Sequence, residues 1–472
     1  MKKINRILLF VGAVVAVMLS GCIEDGFTSS PADQPTFSTD TLDMGMVFTE
    51  AGTPTHSFTV YNRASKNLLI SSIGLRDGSQ VFRLNVDGIS GRTFQNVEIR
   101  PNDSIFVLVE ATLPSNGQNT PIEISDWLDF VTNGVRQTVV LRADGQDILR
   151  RRGLVIDSDT RLSAEKPYQI FDSLVVEEGA RLTLDPGVIL YFHDKASLRV
   201  RGTLVSEGTV EHPVEMRGDR TDNVVGKINY EVMSGQWDGV KFYPTSRDNR
   251  LENTSIRNSC YGVEVDSLGG SADAPALTMV NCRLRNSSGR VLTVSHSAVR
   301  AVGCEFAEAA DGVVWLRGGE HVFNHCTFSN YYLFSAISNP IINLLHVNGK
   351  TDDHSGQPFT KADISNSIVY GLGSDMSIGD LKETDVYVRS TLFKSVGSND
   401  EHFIDCLWDK DPLFYTVREE YVFDYRLREG SPAIGAANPA LTLPAADTDG
   451  YGNPRGTSPD MGAYVFTAPE AQ

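Results

Sequence analysis

The second half of the chain repeats one short pattern: a small residue, one spacer, then a large apolar residue. It reads Asn281-Cys282-x-Leu284, Gly303-Cys304-x-Phe306 and His325-Cys326-x-Phe328, at a period of 22 residues. Looser copies are Asn253-Thr254-x-Ile256, Asn366-Ser367-x-Val369 and Ser390-Thr391-x-Phe393. Apolar positions two apart lie on one face of a strand. One such unit per repeat of about 20–25 residues is the signature of a solenoid. With Asn, Gly and Ser at the corners, the pattern predicts a parallel β-helix. The rhythm breaks between Cys326 and Ser367, which are 41 residues apart. The excess is either a loop thrown out of one corner or an extra irregular coil.

The first third has a different rhythm. Alternating apolar and polar residues predict strands over 57–61, 68–73, 81–86, 104–111, 128–132 and 138–142. Asp77-Gly78, Asp87-Gly88, Pro101-Asn102-Asp103 and Asn133-Gly134 supply turns between them. Strands at this spacing predict a β-sandwich of about 110 residues.

Composition adds limits. At 472 residues the chain is too long for one compact core, so two or more domains are expected. The formal net charge of −18 disfavours nucleic acid and anionic lipid as partners. The acidic residues are dispersed, as on a solvated surface. Arg150-Arg151-Arg152 reads as a solvated junction, with an acidic polymer as its alternative partner. Six cysteines occur, at 22, 260, 282, 304, 326 and 406. Cys260 lies six positions after Thr254, level with Ser288, so the ladder holds three cysteines. In-register side chains point the same way, which suits disulfides poorly, and zinc-type Cys/His spacing is missing. Buried reduced thiols are expected.

The N-terminus reads as a targeting segment. Lys2, Lys3 and Arg6 precede an apolar run over 7–18, too short for a good membrane span. Leu19-Ser20-Gly21-Cys22 resembles the lipobox of bacterial lipoproteins, which implies acylation of Cys22 and removal of 1–21. That removal takes away three positive charges and no negative ones, so the net charge moves from −18 to −21. Ile23-Glu24-Asp25 resembles the export signal of surface lipoproteins in Bacteroidota. The resemblance implies an outer-membrane lipid anchor at the cell surface, with 22–35 as a tether. Membrane contact would be through the anchor alone.

Two further resemblances concern the folded parts. Val60-Tyr61-Asn62, Leu68-Leu69-Ile70, the 99–104 phrase Ile-Arg-Pro-Asn-Asp-Ser and the closing 139–145 phrase resemble immunoglobulin-like domains of the hydin and spindle-protein type. The 174–188 run, the 198–204 phrase and Trp237-Asp238-Gly239-Val240 resemble the opening coils of bacterial β-helix proteins. Asp411-Pro412-Leu413-Phe414, Gly430-Ser431-Pro432-Ala433-Ile434-Gly435 and Asp460-Met461-Gly462-Ala463-Tyr464 resemble the ending of secreted pectin-lyase-like β-helix proteins. The expected fold is therefore all-β. An immunoglobulin-like sandwich over 36–147 precedes a right-handed parallel β-helix over 148–466, and a segment from about 411 caps the open C-terminal end.

Candidate chemistry is sparse. Asp352-Asp353-His354 faintly echoes β-helical glycosidases, whose remaining phrases are missing. A lyase base or uronate-neutralising group would be Lys or Arg. Arg257, Arg283, Arg285, Arg317 and Lys394 lie near repeat strands, and ordinary surface charge is the expected role for all five. Trp315 could stack on a sugar ring if it points out, but the core is its expected place, since aromatic residues mostly bury their area. Asp447-x-Asp449-Gly450 has calcium-like oxygens at alternate positions but lacks the other carboxylates of an EF-hand loop. A turn is its plainer role, and no other cofactor is expected. The fold implied by the resemblance hosts enzymes and non-enzymes alike. The favoured function is non-catalytic binding or display of polysaccharide, or adhesion. The alternative is a polysaccharide lyase or glycoside hydrolase, and a purely structural role is the third reading. Carboxylates clustered with Lys or Arg on one solvent-facing sheet would favour the enzyme.

Overall fold

The computed structural model describes residues 26–225, 228–348 and 358–468. Among these the protein is all-β, with helix confined to single 3-10 turns such as Tyr230–Val232. The chain divides into two compact units, the first ending at Gln146 and the second beginning at Asp147.

The first unit has two five-stranded sheets. One holds Thr36–Phe37, His56–Tyr61, Ser104–Ala111, Phe82–Val86 and Ile89–Gly91. The other holds Thr41–Phe48, Val135–Gln146, Ile122–Thr132, Leu68–Leu75 and Thr93–Ile99. Alternation places Phe58, Val60, Val107 and Val109 from the first sheet in one core with Ile70, Phe130 and Leu141 from the second. Asn133 and Gly134 have φ of 51° and 79° and join Ile122–Thr132 to Val135–Gln146. That is the backbone a two-residue hairpin demands. All six strands expected from alternation are present. Thr41–Phe48 and Thr93–Ile99 were not expected, since Gly45 and Asn96 at positive φ interrupt their alternation.

The second unit is built from long parallel sheets, one of 17 strands and one of 10 among the described residues. Register resolves three columns of inward side chains. One runs Leu190, Met216, Ile256, Leu284, Phe306, Phe328, Val369, Phe393. A second runs Leu198, Val240, Val263, Leu292, Val314, Ile342. The third runs Leu251, Met279, Ala301, Phe323, Ile364, Val388. All three meet in one core. The arrangement is compatible with a parallel β-helix.

The repeated phrase is the corner between the third column and the first. Asn253, Asn281, Gly303, His325, Asn366 and Ser390 all have positive φ, from 39° to 66°. Asn, Gly and Ser suit that left-handed turn. The residue after each turns inward and donates to the carbonyl two positions back. Cys282 reaches Val280 at 3.4 Å, Cys304 reaches Val302 at 3.4 Å and Ser367 reaches Ser365 at 2.8 Å. Thr254 and Thr391 do the same. Asp405, at φ 54°, and Cys406 form a seventh rung. Cys406 thus joins the three expected ladder cysteines; all four are buried and unbridged, and burial pushes the Cys282 and Cys304 thiols well up. Serine fills this position elsewhere, so Cys304→Ser should cost less than about 1.5 kcal/mol, the scale of one net hydrogen bond. Cys304→Leu should cost more, about 1–3 kcal/mol, by overpacking. Urea unfolding of both variants checks the order.

The 41-residue interval is one enlarged coil. His325 N–H bonds the Ser365 carbonyl at 3.0 Å, so those rungs are direct neighbours. The extra length leaves at the corners on either side of Ile342–Leu345. Phe393 is covered by Trp408 of the next rung at 4.7 Å and by Phe403 at 6.0 Å between ring centroids. The segment after 411 therefore does not close the end as expected. It folds back along the flank, where the outward positions of the first column change from arginine to Ala307, Ser329 and Ile368. Ala307 and Ile368 pack there with Phe414, Tyr425, Met461 and Tyr464. Buried Asn and His corners hold it: Asn366 accepts from Asn438 N–H at 2.8 Å, and Asn324 donates to Leu441 at 2.9 Å.

Candidate functional site

The outward positions of the first column carry the charge. Glu215, Ser255, Arg283, Glu305 and Thr327 stand in register, and beside them Arg257, Arg285, Ala307 and Ser329. Strand Arg283–Ser287 turns Leu284 into the core, and this sends Arg283 and Arg285 to the other face. These arginines are half-buried rather than solvated, which corrects the expectation of plain surface charge. Together with Glu215, Arg257, Asn281 and Gly450 they line a groove of about 160 Å³.

Most of the charge in and beside this groove is paired. Arg257 meets Glu215 at 3.1 Å and Glu231 at 3.4 Å. Arg217 meets Glu231 at 2.6 Å. Arg285 meets Glu305 at 3.2 Å, and the Tyr464 hydroxyl donates to Glu305 at 2.5 Å. Burial pushes the Arg257 pKa down and Arg217 adds to this, while Glu215 and Glu231 oppose it. Arg283 differs. It makes no ion pair with any described residue, and its guanidinium lies 4.5 Å from the Tyr451 ring centroid and 5.9 Å from that of Tyr464. Its donors are free to take a carboxylate. Among the described residues lining the groove, Glu215 is the single carboxylate. Two carboxylates flanking one glycosidic bond are therefore missing from the lining.

Glu305 and Glu308 sit beneath the folded-back segment, each 2% exposed. Tyr425 hydrogen-bonds Glu308. Burial pushes the Glu308 pKa up to about 8, Glu305 adds to this, and Arg285 and Tyr425 oppose it. An acid raised in the fold contributes fully below its ordinary value of 4.5 and loses that contribution as pH rises through about 8. Stability should therefore fall across that window, and Glu308→Gln should flatten the fall. Urea midpoints over a pH series read this, and an unchanged slope would contradict it. His325 works in the opposite sense. Burial pushes it down to about 3, so its contribution is present above 6.5 and is lost as pH falls through about 3.

The other sequence candidates fall elsewhere. Trp315 points outward on Val314–Arg317 rather than into the core as expected, on a different column from the groove. Arg290 lies 3.6 Å from its ring centroid and closes one face, and the indole N–H donates to the Asp311 carbonyl at 3.1 Å. Arg317 shares that outer face. The Lys394 ammonium donates to the carbonyls of Gly371 and Gly373. Asp449 is fully buried and accepts from the N–H groups of Tyr451, Asn453 and Val465 and from the Asn453 amide. Those donors occupy both carboxylate oxygens, so Asp449 staples the turn that presents Tyr451. No group of three or more His, Cys, Asp or Glu among the described residues is placed to hold a metal. Cys22, Asp352, Asp353 and His354 lie outside the described residues. The sequence reading missed Tyr451, Tyr464, Glu305 and Glu308 as members of the site. Tyr464 stands in a phrase quoted above for the ending, but nothing in that phrase points to Arg283.

No family model matches this sequence, and no curated protein matches it. Solved structures overlap it weakly, among them the following three. A protein of unknown function from Porphyromonas gingivalis W83 is 16% identical over 24% of this chain and 46% of that one, with a TM-score of 0.19. The VesB protease of Vibrio cholerae is 13% identical over 24% and 32%, with a TM-score of 0.18. A family 123 glycoside hydrolase from Clostridium perfringens is 8% identical over 26% and 26%, with a TM-score of 0.18. This chain spans less than half the length of each, and overlaps so small fix neither a common fold nor a common activity. Fold and site define an all-β protein with long parallel sheets and an arginine-lined groove on one outer face.

Proposed function

We propose that this protein is a lipid-anchored cell-surface protein whose immunoglobulin-like first unit carries a right-handed parallel β-helix, and that the groove at Arg283 binds an acidic polysaccharide without cleaving it. The observation that carries the reading is Arg283 itself, a half-buried cation beside two tyrosines, without an ion-pair partner among the described residues. An arginine fork suits a planar carboxylate. The binding reading is supported over hydrolysis because a single carboxylate lines the groove. The lyase reading keeps one supporting observation, since Glu215, Arg257, Arg283 and Arg285 share one outer face and the Arg257 pKa is pushed down.

Native affinity electrophoresis of a soluble form, through gels holding single acidic or neutral polysaccharides, tests the proposal. Retardation by an acidic polymer with no rise in its ultraviolet absorbance supports binding. Retardation accompanied by unsaturated products supports the lyase. Equal mobility in every gel rejects both.

A further inference from the structure

The arginine groove continues as a track of alternating guanidinium and phenol groups. Arg283 lies 4.5 Å from the Tyr451 ring centroid, Arg426 lies 5.4 Å from the same ring, and Arg426 lies 5.6 Å from the Tyr415 ring. Tyr451 and Tyr415 are 44% and 62% exposed, so both rings offer surface to a ligand. Beyond them Tyr415, Arg426, Leu427, Arg428, Glu429 and Phe466 line a second cleft of about 410 Å³. Arg283 and Arg426 are not equivalent. Arg426 is held by Asp424, Nε to Oδ1 at 3.0 Å and Nη2 to Oδ2 at 2.5 Å. Its charge is matched by Asp424, so between Arg283 and the Arg428–Glu429 end the track presents mainly aromatic surface. The track therefore offers the open cation of Arg283, then stacking surface, with Arg428 and Glu429 of opposite charge at its far end. Long-range charge points the same way, since a chain of net charge −18 repels a densely charged polyanion.

Resting on the reading of the groove as a glycan site, we infer that the ligand is a sparsely acidic heteropolysaccharide, whose acidic sugar sits at Arg283 and whose neighbouring neutral sugars stack along Tyr451 and Tyr415. A sugar's apolar C–H face packs against an aromatic ring, and its hydroxyls stay in water.

Isothermal titration with defined probes tests this: glucuronic acid, a tetrasaccharide alternating glucuronic acid with N-acetylglucosamine, and tetragalacturonate. The alternating tetrasaccharide should bind at least about tenfold more tightly than the monosaccharide, and more tightly than the fully acidic tetramer. Tyr415→Ala, at an exposed position that cannot unfold the core, should remove most of that gain and leave glucuronic acid binding unchanged. A tetragalacturonate preference, or a Tyr415→Ala variant that keeps the gain, overturns the inference and leaves the groove reading standing. Binding of none of the three overturns both.

Discussion

Replacing Arg283 with alanine should weaken binding of an acidic glycan by about 10- to 100-fold, from the 1.5–3 kcal/mol that a hydrogen bond to a charged group contributes. The residue is suited to the role because the other arginines here already have partners. Arg257 and Arg217 share Glu215 and Glu231, and Arg285 is taken by Glu305. Removing Arg257 or Arg285 would leave Glu215 or Glu305 without its ion-pair partner and disturb the fold. Arg283 leaves no such orphan among the described residues, so its loss should fall on binding and spare stability. Arg283→Lys keeps a point charge without the fork and should recover only part of the affinity. Titration of each variant with the same acidic probe, beside its unfolding curve, separates the two effects. Unchanged affinity in Arg283→Ala would remove the groove from consideration.

Trp237→Ala should destabilise the second unit by about 3–5 kcal/mol, the range for deleting a large buried aromatic side chain. Trp237 is fully buried and stacks on Phe192, with centroids 4.1 Å apart and planes 8° apart. Its indole N–H donates to the Arg257 carbonyl at 2.8 Å. The same side chain thus fills the core and fixes the end of the strand that presents Arg257 to the groove. Trp237→Phe keeps much of the packing but strands that carbonyl, and should cost about 1–3 kcal/mol. Urea midpoints for both variants check the order. A loss under about 1 kcal/mol for Trp237→Ala would mean that the site collapses around the void, against the close packing described here.

The parts of the fold that sequence reveals are those with local causes. A left-handed corner accepts Asn, Gly or Ser, and the inward residue after it must be small. The phrase at 281–284, 303–306 and 325–328 therefore repeats because the backbone repeats. The rung at Asp405-Cys406 escaped notice because it follows Thr391 after 15 residues, far short of the 22-residue period. Which strand face looks outward was open for Trp315, because a slip of one residue inverts every side chain. Pairing of Trp315 with Thr293 settles it, and Arg290 then covers the ring. The groove was half legible. Arg257, Arg283 and Arg285 were singled out one by one, and stacking put them in register. Tyr451 and Tyr464 arrive from a segment more than 160 residues further along. Only its return along the flank, onto the small residues Ala307 and Ser329, brings them over Arg283. No local pattern carries that information.

The most direct measurement is arginine modification of the soluble protein by phenylglyoxal, with and without an acidic polysaccharide that retards it, followed by peptide mass spectrometry. The polymer should suppress modification of Arg283 and leave Arg317 and the 150–152 arginines reacting as before. Protection at Arg290 and Arg317 with Arg283 still reactive would place the ligand on the Trp315 face and contradict it.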